Sequence, residues 1–110
     1  MLENLGINDK IWIVNAVTNF RRADFRRLER LVRGFSNHRR IEILVLLEKT
    51  PELSVIEVAQ VLKINFKTAS EHVRRLAIAG LVLKRNEGHN VRHKLTGRAE
   101  LVLKFLRTLE

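Results

Sequence analysis

Residues 54–82 decide the fold, and they read Ser54-Val55-Ile56-Glu57-Val58-Ala59-Gln60-Val61-Leu62-Lys63-Ile64-Asn65-Phe66-Lys67-Thr68-Ala69-Ser70-Glu71-His72-Val73-Arg74-Arg75-Leu76-Ala77-Ile78-Ala79-Gly80-Leu81-Val82. Ser54 with Glu57 three residues on is a capping box, and Val55, Val58, Ala59 and Leu62 follow as one helical stripe. Lys63-Ile64-Asn65 is a polar turn, with Asn65 able to cap a second helix that ends at Gly80. Two short amphipathic helices joined this tightly are the plan of a helix-turn-helix, in which one helix steadies the partner that enters the DNA major groove.

At about 100° per residue the second helix divides into two sides. Ala69, His72, Val73 and Leu76 face the core, with Phe66 at the border; Lys67, Glu71 and Arg74 face away, flanked by Thr68, Ser70 and Arg75. Groups near the amino end of such a helix reach base edges, so Lys67, Thr68, Ser70 and Glu71 are the candidates for readout. Glu71 can accept from a cytosine amino group, and Arg74 and Arg75 suit phosphates. The competing reading is a solvated helix face kept soluble by its charges. Ile78 also falls outward, which predicts burial near the following hairpin.

Downstream, Leu81 to Leu83 and Val91 to Leu95 are short strands around the tip Glu87-Gly88-His89-Asn90. Lys84, Arg85, His89, Arg92 and Lys94 stud this hairpin, which could touch a neighbouring minor groove or backbone; Lys84, Arg85, His89 and Arg92 are its candidate DNA contacts. Thr96 caps a closing helix to about Leu109, with Val102, Leu106 and Leu109 as one stripe and Leu101 and Phe105 turned from it. So broad an apolar surface on a last helix implies two partners, the chain's own core and another subunit.

Upstream, Asn8 can cap a helix that runs from Asp9 to about Val32, roughly 35 Å long. Ile11, Trp12, Ile13, Val14, Ala16 and Val17 make its first half apolar around more than one face, so Ile11, Trp12 and Val14, with Leu101 and Phe105, are expected in a dimer seam. Arg22, Arg26, Arg30 and Arg33 line up as a basic ridge on its second half, either a solvated face or an anion contact. Gly34 is expected to break this helix. Ser36 or Asn37 then caps the next, which carries Ile41, Leu44, Val45 and Leu47 inward to about Lys49 before Thr50-Pro51 stops it.

The charge of +9 and the pI near 11.1 favour a polyanionic partner, since released counterions give affinity without sequence preference. Its layout is uneven: residues 21–40 carry +6, residues 41–62 carry −3 and residues 63–110 carry +7. The acidic stretch belongs to the scaffold, and the basic ones to the groove helix, the hairpin and the first long helix, as in a phosphate footprint. A chain of 110 residues is expected to form one domain, with 1–33 a dimerisation helix, 54–80 the helix-turn-helix, 81–95 the wing and 96–110 a second dimerisation helix. The longest apolar run, Leu76 to Leu83, is too short to span a bilayer, and no cleavable signal is expected; a soluble, cytoplasmic protein is expected, nucleoid-associated if the source is prokaryotic.

The order helix, helix, helix, groove helix, hairpin, helix is a winged helix, mainly α with a small β-hairpin. Glu52-Leu53-Ser54-Val55-Ile56-Glu57-Val58-Ala59, and Ser70-Glu71-His72-Val73-Arg74-Arg75-Leu76 with Ala79-Gly80-Leu81-Val82, resemble the ArsR/SmtB family of winged-helix repressors over about residues 35–107. The resemblance implies a homodimer joined through first and last helices, and in many members release of operator DNA on binding a metal. The metal ligands do not carry over. Where metal-sensing relatives have Cys-Val-Cys-Asp, this chain has Ser54-Val55-Ile56-Glu57, it contains no cysteine, and its last helix has no histidine. His89 and His93, about 13 Å apart at strand rise, are too far apart for one ion, and His72 lies on the inward stripe as a structural histidine.

No metal and no cofactor are therefore expected. An enzyme is excluded by the lack of a glycine-rich phosphate loop, a nucleophile elbow or paired acids, and the side chains of Ser70 and His72 diverge by about 200° on one helix. Two functions remain: a homodimeric regulator of double-stranded DNA, a repressor by resemblance, and an architectural, RNA-associated or protein-assembly module that works through the arginine ridge. The operator sequence and any small-molecule effector are unknown from these residues.

Overall fold

Among the described residues, Asn37, Ser54, Asn65 and Thr96 cap the helices they were assigned to. In the computed structural model, which describes residues 21–110 but not the side chains of Arg22 and Ala23, the order is α1 (Arg22–Phe35), α2 (His38–Lys49), α3 (Val55–Leu62), α4 (Phe66–Ile78), β1 (Val82–Glu87), β2 (Asn90–Leu95) and α5 (Gly97–Thr108). This is a winged helix. Asn8, Asp9, Ile11, Trp12 and Val14 lie outside the described residues.

Asn37 Oδ1 accepts from the backbone N–H groups of Arg39 and Arg40 at 2.9 and 3.2 Å, so Asn37, not Ser36, caps α2. At α3 the capping box closes in both directions: Ser54 Oγ accepts from Glu57 N at 3.2 Å, and Glu57 Oε1 accepts from Ser54 N at 2.9 Å. Asn65 Oδ1 accepts from Lys67 N at 2.7 Å and starts α4. Between them Lys63 turns the chain in the left-handed region, φ 55° and ψ 46°, a conformation that costs a residue with a Cβ about 1 kcal/mol. Gly80, at φ 75°, ends α4 without that cost, and Leu81 N donates back to Leu76 O at 2.9 Å.

The core of the described residues gathers Ile43, Leu44 and Leu47 from α2 against Val58, Val73, Leu76, Leu81 and Leu103, all nearly or fully buried. Each such side chain contributes about 1.5–3 kcal/mol relative to exposure. The stripe on α2 is shifted from the expected one: Ile43 is fully buried, while Ile41 and Val45 sit half-buried at its flanks. On α5 the buried set is Ala99, Val102 and Leu103, and Leu109, expected beside Val102, is exposed.

Two expectations for the first helix are corrected. Arg21 is extended, with ψ 159°, so the helix does not run through it; α1 begins at Arg22, where the Asp24 carboxylate accepts from Arg21 N at 3.0 Å. The helix then passes through Gly34 and ends at Phe35. Gly34 does not break the helix but lets another approach: a Cβ there would stand 2.4 Å from the Cβ of Ala79, so α1 and the end of α4 meet at the one position without a side chain.

The hairpin pairs Val82 with Leu95 through to Glu87 with Asn90, leaving a two-residue turn at Gly88, φ 61°, and His89. Its strands are longer than the expected runs, which stopped at Leu83 and began at Val91. His93 is buried on the inner face, where its Nδ1–H donates to the Leu53 carbonyl at 2.8 Å. The same carbonyl accepts from His93 N at 3.0 Å, and Glu52 N donates to His93 O at 2.8 Å, so residues 52–53 form a short bridge to β2. Burial pushes the His93 imidazole below the ordinary histidine range.

Candidate nucleic-acid interface

Helix α4 is held by its inward residues. Ala69, Val73 and Leu76 are buried. His72 is half-buried and accepts at Nδ1 from Arg40 Nη1, 3.3 Å away, while Arg40 Nη2 donates to the Arg33 carbonyl at 3.2 Å. Arg40 thus clips the end of α1 to the middle of α4. Desolvation and then the Arg40 charge hold His72 below its usual range, so it is neutral near pH 7. Phe66, placed at the border of the inward side, is 52% exposed at the first turn of α4.

On the opposite side Lys67 and Thr68 are exposed at the amino end, and Ser70 is half-buried behind them. Asn65 takes up Lys67 N, and the other free N–H groups of the first turn, with the positive end of the helix dipole, add to the cationic character there. Glu71 is differently placed. Arg74 donates from Nε and Nη2 to its two carboxylate oxygens at 2.9 and 2.8 Å, and Arg75 Nε adds a third bond at 3.1 Å. Hydrogen bonds from Arg74, then the charges of both arginines, hold the Glu71 carboxyl down to about 2.

In the wing, Arg85 and Arg92 face each other across the strands, a like-charge pair that would repel. Carboxylates surround them. Arg85 Nε donates to Glu52 at 3.1 Å, and Arg92 Nη1 donates to Glu57 at 2.8 Å, with Glu87 3.4 Å from both guanidinium groups. Glu52 and Glu57 are held below the usual carboxylate range, Glu52 first through Arg85 and Glu57 first through its bonds with Ser54. The acidic stretch of the sequence therefore straps the wing to α3. Lys84 and the tip residue His89 are exposed and have no ion pair among the described residues.

Sequence reasoning missed Glu52 and Glu57 as wing anchors, since their partners lie 33 and 35 residues away. For His93 a signal was present: alternation along β2 puts it on the face of Leu95. Ile78 is corrected too. It is 72% exposed and turned to α1, not buried at the hairpin.

With this geometry in place, residues 37–84 match the model of the bacterial regulatory protein, arsR family. Over those residues, somewhat less than half of the chain, the protein is similar to an ArsR-family helix-turn-helix. The homodimeric winged helix-turn-helix DNA-binding domain Mb0332 of Mycobacterium bovis is 27% identical, covering 79% of this chain and 81% of its own, with a TM-score of 0.72. Reduced HlyU of Vibrio cholerae is 28% identical over 79% of this chain and 92% of its own, with a TM-score of 0.68. The transcriptional regulator HlyU of Vibrio vulnificus is also 28% identical, covering 94% and 98% of the two chains at a TM-score of 0.63. No curated protein matches by sequence. The family and fold are those of DNA-binding transcription regulators rather than enzymes. Among the described residues no helix is long and apolar enough to cross a membrane.

Proposed function

We propose that the chain is a sequence-specific transcriptional regulator of double-stranded DNA, a repressor acting as a homodimer of one-domain subunits with α4 in the major groove. The observation that carries this reading is the division of α4: Ala69, Val73 and Leu76 seat it, while Lys67 and Thr68 stand bare at its positive end. In this reading Lys67, Thr68, Ser70 and Glu71 read bases, Arg74 and Arg75 hold phosphates, and Lys84 and His89 of the wing touch the adjacent backbone. Arg85 and Arg92 aim the wing and reach phosphate from their carboxylate pairs.

The dimer is supported by two apolar stripes at the ends of the described chain. Phe25, Leu28 and Val32 are exposed along α1, and Leu101, Phe105 and Leu109 along α5, with Leu101 at 69%. The relative Mb0332 is a homodimer. Two such subunits would address half-sites about one helical turn, roughly 34 Å, apart, on chromosomal DNA in the cytoplasm.

Selection of bound duplexes from a random pool at physiological salt tests the reading. A palindromic consensus is expected; recovery of unrelated sequences with only a steep salt dependence would overturn sequence-specific regulation.

A further inference from the structure

Between the last turns of α1 and α4 runs a groove of about 360 Å³, within the range of small-molecule sites. Its floor is apolar, made by Leu31, Ile78 and Ala79 over Gly34. Its rim is six guanidinium groups, Arg27, Arg30 and Arg33 from α1, Arg74 and Arg75 from α4, and Arg98 from α5. Among the described residues three carboxylates answer them: Asp24 pairs with Arg27, Glu29 with Arg33, and Glu71 with Arg74 and Arg75. Arg30 has none, and Arg98 reaches only the Ala79 carbonyl, at 3.3 Å.

Six cations crowded on one concavity repel one another, and a bound anion relieves that repulsion. Guanidinium forks match carboxylate and phosphate oxygens in pairs, which a surface of lysines would not do. The floor discriminates between anions. A DNA backbone gains nothing from an isoleucine that is 72% exposed among these arginines, whereas a ligand with a charged head and an apolar body would cover it. The Gly34 to Ala79 contact closes the floor from below, so the ligand lies on the seam without separating the helices.

We propose that this groove binds a small amphipathic anion, a carboxylate or phosphate monoester on a hydrocarbon or aromatic body, and that the bound anion draws Arg74 and Arg75 away from DNA. The second half rests on the DNA-binding reading above; the first does not. Because Arg74 and Arg75 border both the groove and the outward face of α4, phosphate and ligand compete for the same donors.

Calorimetric titration of the full chain without DNA, using octanoate, octyl phosphate, octanol and inorganic phosphate, separates charge from apolar contact. Octanoate or octyl phosphate is expected to bind at least about tenfold more tightly than octanol or phosphate. Arg30→Ala with Arg98→Ala should remove about tenfold or more of that affinity, and Ile78→Gln, at an exposed position, should weaken the octyl ligands alone. Octanoate binding no better than octanol, or unchanged by the double substitution, overturns the proposal. So does a double substitution that weakens duplex binding in a chain that ignores the octyl anions, since the groove is then a backbone contact.

In a second arm, octanoate or octyl phosphate should raise the apparent Kd for the selected duplex in the native chain but not in the double variant. An unchanged Kd overturns the competition. Anion binding in a chain without sequence-selective duplex binding would refute the regulatory reading and leave the groove standing. Duplex binding without anion binding would do the reverse.

Discussion

The groove helix and the wing carry the same kind of charge and use it differently. At the start of α4, Lys67 and Thr68 are bare and face solvent. In the wing, Arg85 and Arg92 are already committed to Glu52, Glu57 and Glu87. Counting cations would rank the hairpin as the stronger anion surface, but only unpaired cations release counterions without first breaking a pair. The tethered arginines fix where the wing points, whereas Lys67 of α4, like Lys84 at the base of the wing, keeps its charge open to solvent.

The largest expected effect falls on the wing's attachment and not on DNA contact. His93→Ala removes a buried ring and its bond to the Leu53 carbonyl, and should cost about 2–4 kcal/mol of stability in urea unfolding. A loss within about 0.5 kcal/mol would mean the wing is not anchored there.

Next comes Lys67→Ala, expected to lower duplex affinity about tenfold at physiological salt and to reduce the salt slope by about one. Unfolding curves should be unchanged. If Arg85→Ala has the larger effect on the salt slope, the contrast between bare and tethered cations fails.

Glu71→Ala sharpens the contrast within α4 itself, because it frees Arg74 and Arg75. Binding to random duplex should strengthen and the salt slope steepen, while preference at one base position changes; Arg74→Ala should move the slope the other way. A random-duplex affinity that falls in both variants would place Glu71 as a structural brace only.

The smallest effect is a pH dependence. His72 and His93 both have folded values below the ordinary one of about 6.5, so the unfolded chain binds more protons in that range. Their contribution is complete above about pH 6.5 and is lost as pH falls through the depressed folded values. Urea midpoints should therefore decline as pH falls below about 6.5, and more gently in His93→Gln. A flat profile in the native chain would refute the neutral, buried state of both rings.

What the sequence made legible was local. Ser54, Glu57, Asn65 and Gly80 act on backbone groups within a turn of themselves, so the two helices and their junction could be read from spacing alone. The outward set of α4 followed from the helical angle. The shift of the α2 stripe to Ile43 was not legible, because Ile41, Ile43, Leu44 and Val45 are all apolar and periodicity cannot choose among them. Nor was the partnership of Glu57 with Arg92, which depends on where the hairpin docks. At Gly34 local reasoning was one residue short, since the helix ends at Phe35, and it could not show that the missing side chain also admits Ala79.

That contact has a mechanical consequence. At that point α1 and the end of α4 have no room to close further, because any side chain at Gly34 would meet the Ala79 methyl, so a shift of either toward the other is resisted there. The far flank of α1 carries Phe25, Leu28 and Val32. Whatever leans on that flank therefore presses on α4 through this one contact, with no loop between them.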